Sequence, residues 1–308
     1  METLRQLIVI LIFPSGLFIL LYSLAYEWVY RKLVARMQNR IGPRWFQPVA
    51  DVLKLMSKEE ITPEGVDRFL FRFLPICALA GALTASLYLP IVGLTASASF
   101  PGDLIITFYL LSLVSVCMGL AGANSRGRFS VIGATRTLTQ VFSYEAPFLL
   151  ALLGPAILAK SWQIGQIANY AQNSTWMILT QPVGFMVALI GLMGKLELPP
   201  FDAPEAETEI VAGALTEYSG RGLALFRLSK AVEMVAGLTL VATLFLGGIS
   251  NPIDFLIKTF ALLLALALLQ VLLTRFRIDQ VVRWWRYGAL LALGQMLVTI
   301  LIITIYTI

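Results

Sequence analysis

The sequence predicts an all-α integral membrane protein, a bundle of eight transmembrane helices with one amphipathic helix at the cytoplasmic interface, in a single polytopic domain over 1–308. Three observations predict it. First, 58% of the 308 residues are hydrophobic and only 13% charged, with a mean hydropathy of +0.81, whereas soluble domains run at roughly 45 to 50% apolar and about 25% charged. Second, apolar runs near the ~20 residues needed to cross hydrocarbon recur along the whole chain. Third, the basic residues fall on alternate connections between those runs.

The spans read as 5–30, 69–92, 103–123, 135–159, 179–195, 222–247, 254–274 and 285–307, the fifth being short. The first begins in METLRQLIVILIF, whose apolar run continues to Tyr26 without a small-residue cleavage site, so it reads as a retained span. Pro14, Pro75, Pro147 and Pro182 fall inside spans, where neighbouring helices satisfy the freed backbone groups. With both termini outside, every Lys and Arg except Arg5, Lys160 and Lys258 lies on the cytoplasmic connections or adjoining span ends. The positive-inside rule then supports both the orientation and the count, and places the chain in the cell membrane. The net charge of +5 follows from that topology and calls for no nucleic acid. The chain has no His, and Cys77 and Cys117 lack CxxC spacing, which argues against a disulfide framework, a metal site or a cluster ligated by this chain.

On the cytoplasmic side, Gly42 and Pro43 break the helix that extends from the first span. Beyond Pro48, Val49, Val52, Leu53 and Met56 recur at helical spacing against Asp51, Lys54, Ser57 and Lys58. This predicts an amphipathic helix over about 47–58, lying in the interface as a basic platform or a docking surface.

Glu145 and Glu233 stand ten and eleven residues into their spans, roughly 15 to 17 Å deep. A carboxylate there costs at least about 2.5 to 3.5 kcal/mol and faces a partner or water. Lys230 precedes Glu233 by three on one helix face, so a structural ion pair and a proton- or cation-carrying site are both open readings. Glu27 is explained by an i, i+4 pair with Arg31.

The stretch ELPPFDAPEAETE, 197–209, holds five carboxylates. Asp202 is placed to cap a helix with Pro204 and Glu205 in its first turn. Glu205 and Glu209 would then repel at i, i+4, and Glu207, Glu209 and Glu217 lie beyond ordinary capping. The cluster therefore predicts an outside partner: a proton path, a cation, or basic residues of another chain.

RMQNRIGPRWFQPVADVLKLMSKEE, GANSRGRFSVIGATRTLTQVFSYEAP and ELPPFDAPEAETEIVAGALTEYSGRGLALFRLSKAVE together resemble the signature regions of subunit 1, or the H subunit, of respiratory complex I. The same family includes the membrane anchors of energy-converting [NiFe] hydrogenases and of the related sulfane sulfur reductases. The resemblance implies a non-catalytic membrane subunit that joins a peripheral arm, with hydrogenase-like large and small subunits, to antiporter-like pumping subunits. It implies that Fe–S clusters, and in the hydrogenase members a NiFe centre, sit on those partners and no cofactor on this chain. It also implies that Asp202, Glu205, Glu207, Glu209 and Glu217 begin an acidic path continued by Glu145 and Glu233 with Lys230, and that Arg36, Arg40, Arg44, Lys54, Arg126, Arg128 and Arg136 meet the partner arm. One departure narrows the match. Only Arg44, Trp45 and Phe46 separate Gly42-Pro43 from Gln47-Pro48, where complex I members carry a longer stretch that helps form the quinone entrance. The expectation is thus a ferredoxin-linked, H+- or Na+-pumping complex of the hydrogenase or sulfur-reductase type. The alternatives are a quinone-chamber subunit of complex I type and a stand-alone secondary transporter, though no internal repeat marks the latter.

Overall fold

The computed structural model describes residues 11–173 and 177–307, less the side chains of residues 207, 306 and 307. Every regular element among them is helical. In order the α-helices are α1 (Leu17–Met37), α2 (Gln47–Ser57), α3 (Arg68–Leu87), α4 (Asp103–Asn124), α5 (Arg128–Ala159), α6 (Ile164–Asn173), α7 (Met177–Thr180), α8 (Pro182–Lys195), α9 (Glu207–Ile210), α10 (Gly220–Phe245), α11 (Pro252–Leu272) and α12 (Ile278–Thr307), with short 3₁₀ turns at Ile91–Gly93 and Gly213–Leu215.

Among the described residues six helices, α3, α4, α5, α10, α11 and α12, are long and apolar enough to cross a bilayer, making this a multi-pass membrane protein. The expected count of eight is met only in part. The described length of α1 carries Glu27, Arg31, Lys32 and Arg36, and residues 5–10 of its expected span lie outside the described residues. At 14 residues α8 is about 21 Å long, short of the ~30 Å hydrocarbon core.

Local sequence accounts for the helix ends that position the polar face. The Asp67 carboxylate starts α3, accepting from the Phe69 and Leu70 amides at 2.9 and 3.3 Å. Pro48 opens α2 at a position where no amide is needed. The sequence predicts α2 closely, and its Leu53 and Met56 face outward, away from the bundle.

The centre of the bundle is α10. Of its spanning window 89% is buried, against 17% for the peripheral α12. Packed around it are α1, α2, α3 and α11, while α5 joins α4, α8 and α12 on the far side. Small residues allow the close approaches. A Cβ on Gly133 of α5 would fall 2.3 Å from the Ala214 nitrogen, and one on Gly213, whose φ is +54°, would fall 2.0 Å from the Pro204 carbonyl oxygen. The 3₁₀ turn Gly213–Leu215 is thereby pressed against α5, and the acidic stretch folds back over the helix ends.

Candidate functional site

The acidic stretch is built around the C-terminus of α8. The Leu198 amide donates to the Met193 carbonyl at 3.0 Å and the Glu197 amide to Gly194 at 3.3 Å. This is a Schellman closure with Glu197, φ +53°, in the left-handed position that glycine usually takes. A non-glycine residue there costs about 1 kcal/mol, and it aims the Glu197 side chain into the protein, where the residue is 6% exposed. Gln140 of α5 locks the turn, donating to the carbonyls of Gly194 at 2.9 Å and Phe201 at 2.7 Å.

Below this turn lies a cavity of about 820 Å³ between α1, α10, α11 and the acidic stretch, with Glu27, Glu197, Asp202, Glu205, Lys230 and Arg275 on its walls. Lys230 holds two carboxylates at once. Its Nζ donates to Glu197 Oε2 at 2.6 Å and to Glu205 Oε1. Burial raises the Glu197 carboxyl above the usual range, and Lys230 only partly offsets it. The Lys230 charge holds half-exposed Glu205 below that range.

The structure corrects the capping expectation. Residues 201–206 form turns instead of a helix start, and α9 begins at Glu207. Asp202 instead receives the Arg275 guanidinium through Nε at 2.8 Å and Nη2 at 2.5 Å, a two-pronged pair that a planar guanidinium favours over any single cap bond. Glu209 pairs with Arg136 at 2.7 Å, which holds its carboxyl below the usual range. Glu197, Asp202, Glu205 and Glu209 thus find cations within the chain: folding brings basic residues up to 73 positions distant onto them, which offsets the predicted repulsion between Glu205 and Glu209. Glu217 lies over Gly127, where an added Cβ would meet its Oε1 at 2.5 Å. The Glu207 side chain lies outside the described residues.

Of the two open readings, the Lys230–Glu233 ion pair does not form: Lys230 turns toward the cavity and pairs with Glu197 and Glu205. Glu233 is 1% exposed, and neither of its carboxyl oxygens has a hydrogen-bond partner among the described residues. Its charged neighbours are Lys195, Glu197 and Lys230, and those of Lys195 are Glu233 and Glu145. Ionisable groups that feel one another's charge therefore lead from Glu205 at the cavity to half-buried Glu145 on α5. Glu197 and Lys195 were not singled out by sequence reasoning. Glu197 stood inside an acidic run, and Lys195 looked like one more basic residue at a span end.

Of the basic residues expected at a partner surface, Arg36, Arg40, Arg44, Lys54, Arg126 and Arg128 are exposed. Arg136 is half-buried and committed to Glu209 and the Ala203 carbonyl. Glu27 contacts Arg31, which also reaches Asp51 at 3.7 Å, joining α1 to α2 at the cavity rim.

A family model described as NADH dehydrogenase matches residues 8–300. Similar proteins include the H subunit of NADH-quinone oxidoreductase from Carboxydothermus hydrogenoformans, 33% identical over 94% of this chain and 85% of that protein. The corresponding protein of Thermomicrobium roseum is 35% identical over 85% and 86%, and that of Bacillus thuringiensis subsp. konkukian 34% identical over 88% and 86%. A chain of the membrane-bound sulfane sulfur reductase, an archaeal respiratory membrane complex, shares the fold, with a TM-score of 0.86 over 96% of this chain and 99% of that one at 24% identity. With a model matching nearly its full length and about a third of its residues shared with these oxidoreductase subunits, the chain belongs to the NADH dehydrogenase family, among the membrane subunits of complex I type.

Proposed function

We propose that this chain is the coupling subunit of a ferredoxin-linked, ion-pumping oxidoreductase of the membrane-bound hydrogenase or sulfur-reductase type. It docks a peripheral arm, carrying the Fe–S clusters and the catalytic centre, on its basic and acidic cytoplasmic face in the cell membrane, with its termini outside. Redox chemistry in that arm changes the charge near the cavity, and the change passes inward as H+ or Na+ movement toward antiporter-like partners. The observation that carries this reading is the line of ionisable side chains from Glu205, Lys230 and Glu197, which are in contact, to Glu233, Lys195 and Glu145, which act on one another through their charge. Membrane interiors hold such groups only where they serve a partner or a pathway. The three-residue spacing between Gly42-Pro43 and Gln47-Pro48 favours this type over a quinone-reducing one. The test is ferredoxin-driven hydrogen or sulfide formation with ion uptake in sealed vesicles. Glu145→Gln and Glu233→Gln should each cut ion uptake by at least about tenfold while electron transfer continues; normal uptake in both removes the conduit.

A quinone-chamber subunit is the second reading. The cavity of about 820 Å³ is within the ~300 to 1,000 Å³ of small-molecule sites, and the similar proteins are named as NADH-quinone oxidoreductase subunits. Turnover with an added quinone decides between the two.

A further inference from the structure

The two sides of α1 carry charge differently. At about 100° per residue, Glu27 and Arg31 share one side. They contact each other there, Arg31 also reaches Asp51 at 3.7 Å, and both line the acidic cavity. Tyr22, Ala25 and Val29 stand on the opposite side, and with Trp28 they form one wall of a second cavity, of about 430 Å³. Its other wall is Leu256, Ile257 and Phe260 of α11, all three exposed, so this groove opens on the outer surface of the bundle. Among the described residues no charged side chain lines it. The same side of α1 runs on past Val29 to Lys32 and Arg36, about one and two turns further. Neither makes an ion pair within 4.0 Å among the described residues.

The turn after α1 is folded onto this end of the groove. Trp28 Nε1 donates to the Pro43 carbonyl at 3.2 Å, and a Cβ on Gly42, whose φ is +74°, would fall 3.0 Å from Lys32 Cδ. The Gly42 backbone thus rests on the aliphatic stem of half-buried Lys32, whose ammonium has no anion of the protein to meet. An apolar groove that opens to hydrocarbon and ends in two uncompensated cations complements an amphiphile with an acidic head and an aliphatic tail. We propose that the groove between α1 and α11 binds an anionic phospholipid of the bilayer. One acyl chain lies along Tyr22, Val29 and Phe260, Trp28 stands at the level of the ester groups as interfacial tryptophans do, and Lys32 and Arg36 hold the phosphate. Basic pockets between helices at the cytoplasmic surface bind anionic head groups in this manner, and the distribution of Lys and Arg puts this end of α1 on that side. Arg36, expected from the sequence at the partner arm, is thereby assigned to lipid. The site is independent of the coupling role proposed above.

The experiment places the full-length chain in phosphatidylcholine bilayers that contain either phosphatidylglycerol or phosphatidylcholine with brominated chains, which quench tryptophan on contact. The Trp28 signal is the emission of the parent less that of Trp28→Phe. Half-quenching by brominated phosphatidylglycerol should need at most about one-fifth of the mole fraction that brominated phosphatidylcholine needs, since each cation near an anionic head contributes about fivefold. Lys32→Gln with Arg36→Gln should bring the two lipids level, and where that double variant does not fold, Lys32→Gln alone should lower the preference about fivefold. Lys32→Arg, which keeps the charge, should keep the preference. Ala25→Phe puts a ring into the groove and should weaken quenching of Trp28 by both lipids severalfold. Equal quenching by the two lipids in the parent, or a preference for phosphatidylglycerol that survives loss of the cations, overturns the proposal. Quenching that Ala25→Phe leaves unchanged also overturns it. So does a Trp28 that neither lipid reaches in the intact complex, because a helix of another subunit would then cover the groove.

Discussion

Lys230 is the pivot of the acidic cavity, since one ammonium serves both Glu197 and Glu205. Lys230→Met should destabilise the purified chain by about 3 kcal/mol, because it leaves the buried Glu197 without its cation. Adding Glu197→Gln should recover most of that loss in thermal unfolding. The same two carboxylates set the pH response. Glu197, raised by burial, takes a proton before Glu205 as pH falls, and losing a buried charge favours the folded state. Glu205, lowered by Lys230, contributes stability that is present above the ordinary glutamate value of ~4.3 and lost as pH falls through its own lower value. Thermal stability in detergent should therefore hold or rise slightly from pH 7 to about 4.5 and fall below about 4.3. A steady decline beginning at pH 7 contradicts this order.

Among the elements, the short α8 and the acidic stretch after it depend on backbone shape more than on helix propensity. Gly213 illustrates this, with φ +54° and the Pro204 carbonyl in the space a side chain would need. Gly213→Ala should cost at least about 1 to 2 kcal/mol from the left-handed backbone alone, with the clash added. Limited proteolysis should then cut between 203 and 216 faster than in the parent chain. The amphipathic α2 was legible in the sequence because its apolar spacing and Pro48 both mark it. The helix expected at Asp202 was not there. A capping pattern states only what Asp202 is able to do locally, and the Arg275 guanidinium, 73 residues away, offers a stronger partner.

For the whole molecule, the distribution of Lys and Arg predicts that 31–68 and 94–102 face opposite sides of the membrane. Single cysteines at exposed Ser57 and Ser97, in a background lacking Cys77 and Cys117, should react with an impermeant maleimide from opposite sides of oriented vesicles. Labelling of both from one side would reverse the span assignment. The bundle also orders its helices by depth: α10, buried along most of its spanning length, at the centre, and α12 with an aliphatic face turned outward. Sequence composition marks both as apolar without saying which is inside, since lipid and a protein core reward the same side chains.

The sequence by itself determined the all-helical membrane class, six helices long and apolar enough to span, the amphipathic α2 and the family, because bilayer thickness, backbone satisfaction and motif spacing are all written in one dimension. It also marked Glu145 and Glu233, whose isolation in apolar runs is visible without coordinates. Only the tertiary structure decided who partners whom. It gave Lys230 to Glu197 and Glu205 instead of Glu233, gave Arg275 to Asp202, and drew Lys195 inward to Ser112. Those choices compare electrostatic alternatives across helices far apart in the chain, and a charge in a low-dielectric interior goes to whichever partner the packing brings within reach.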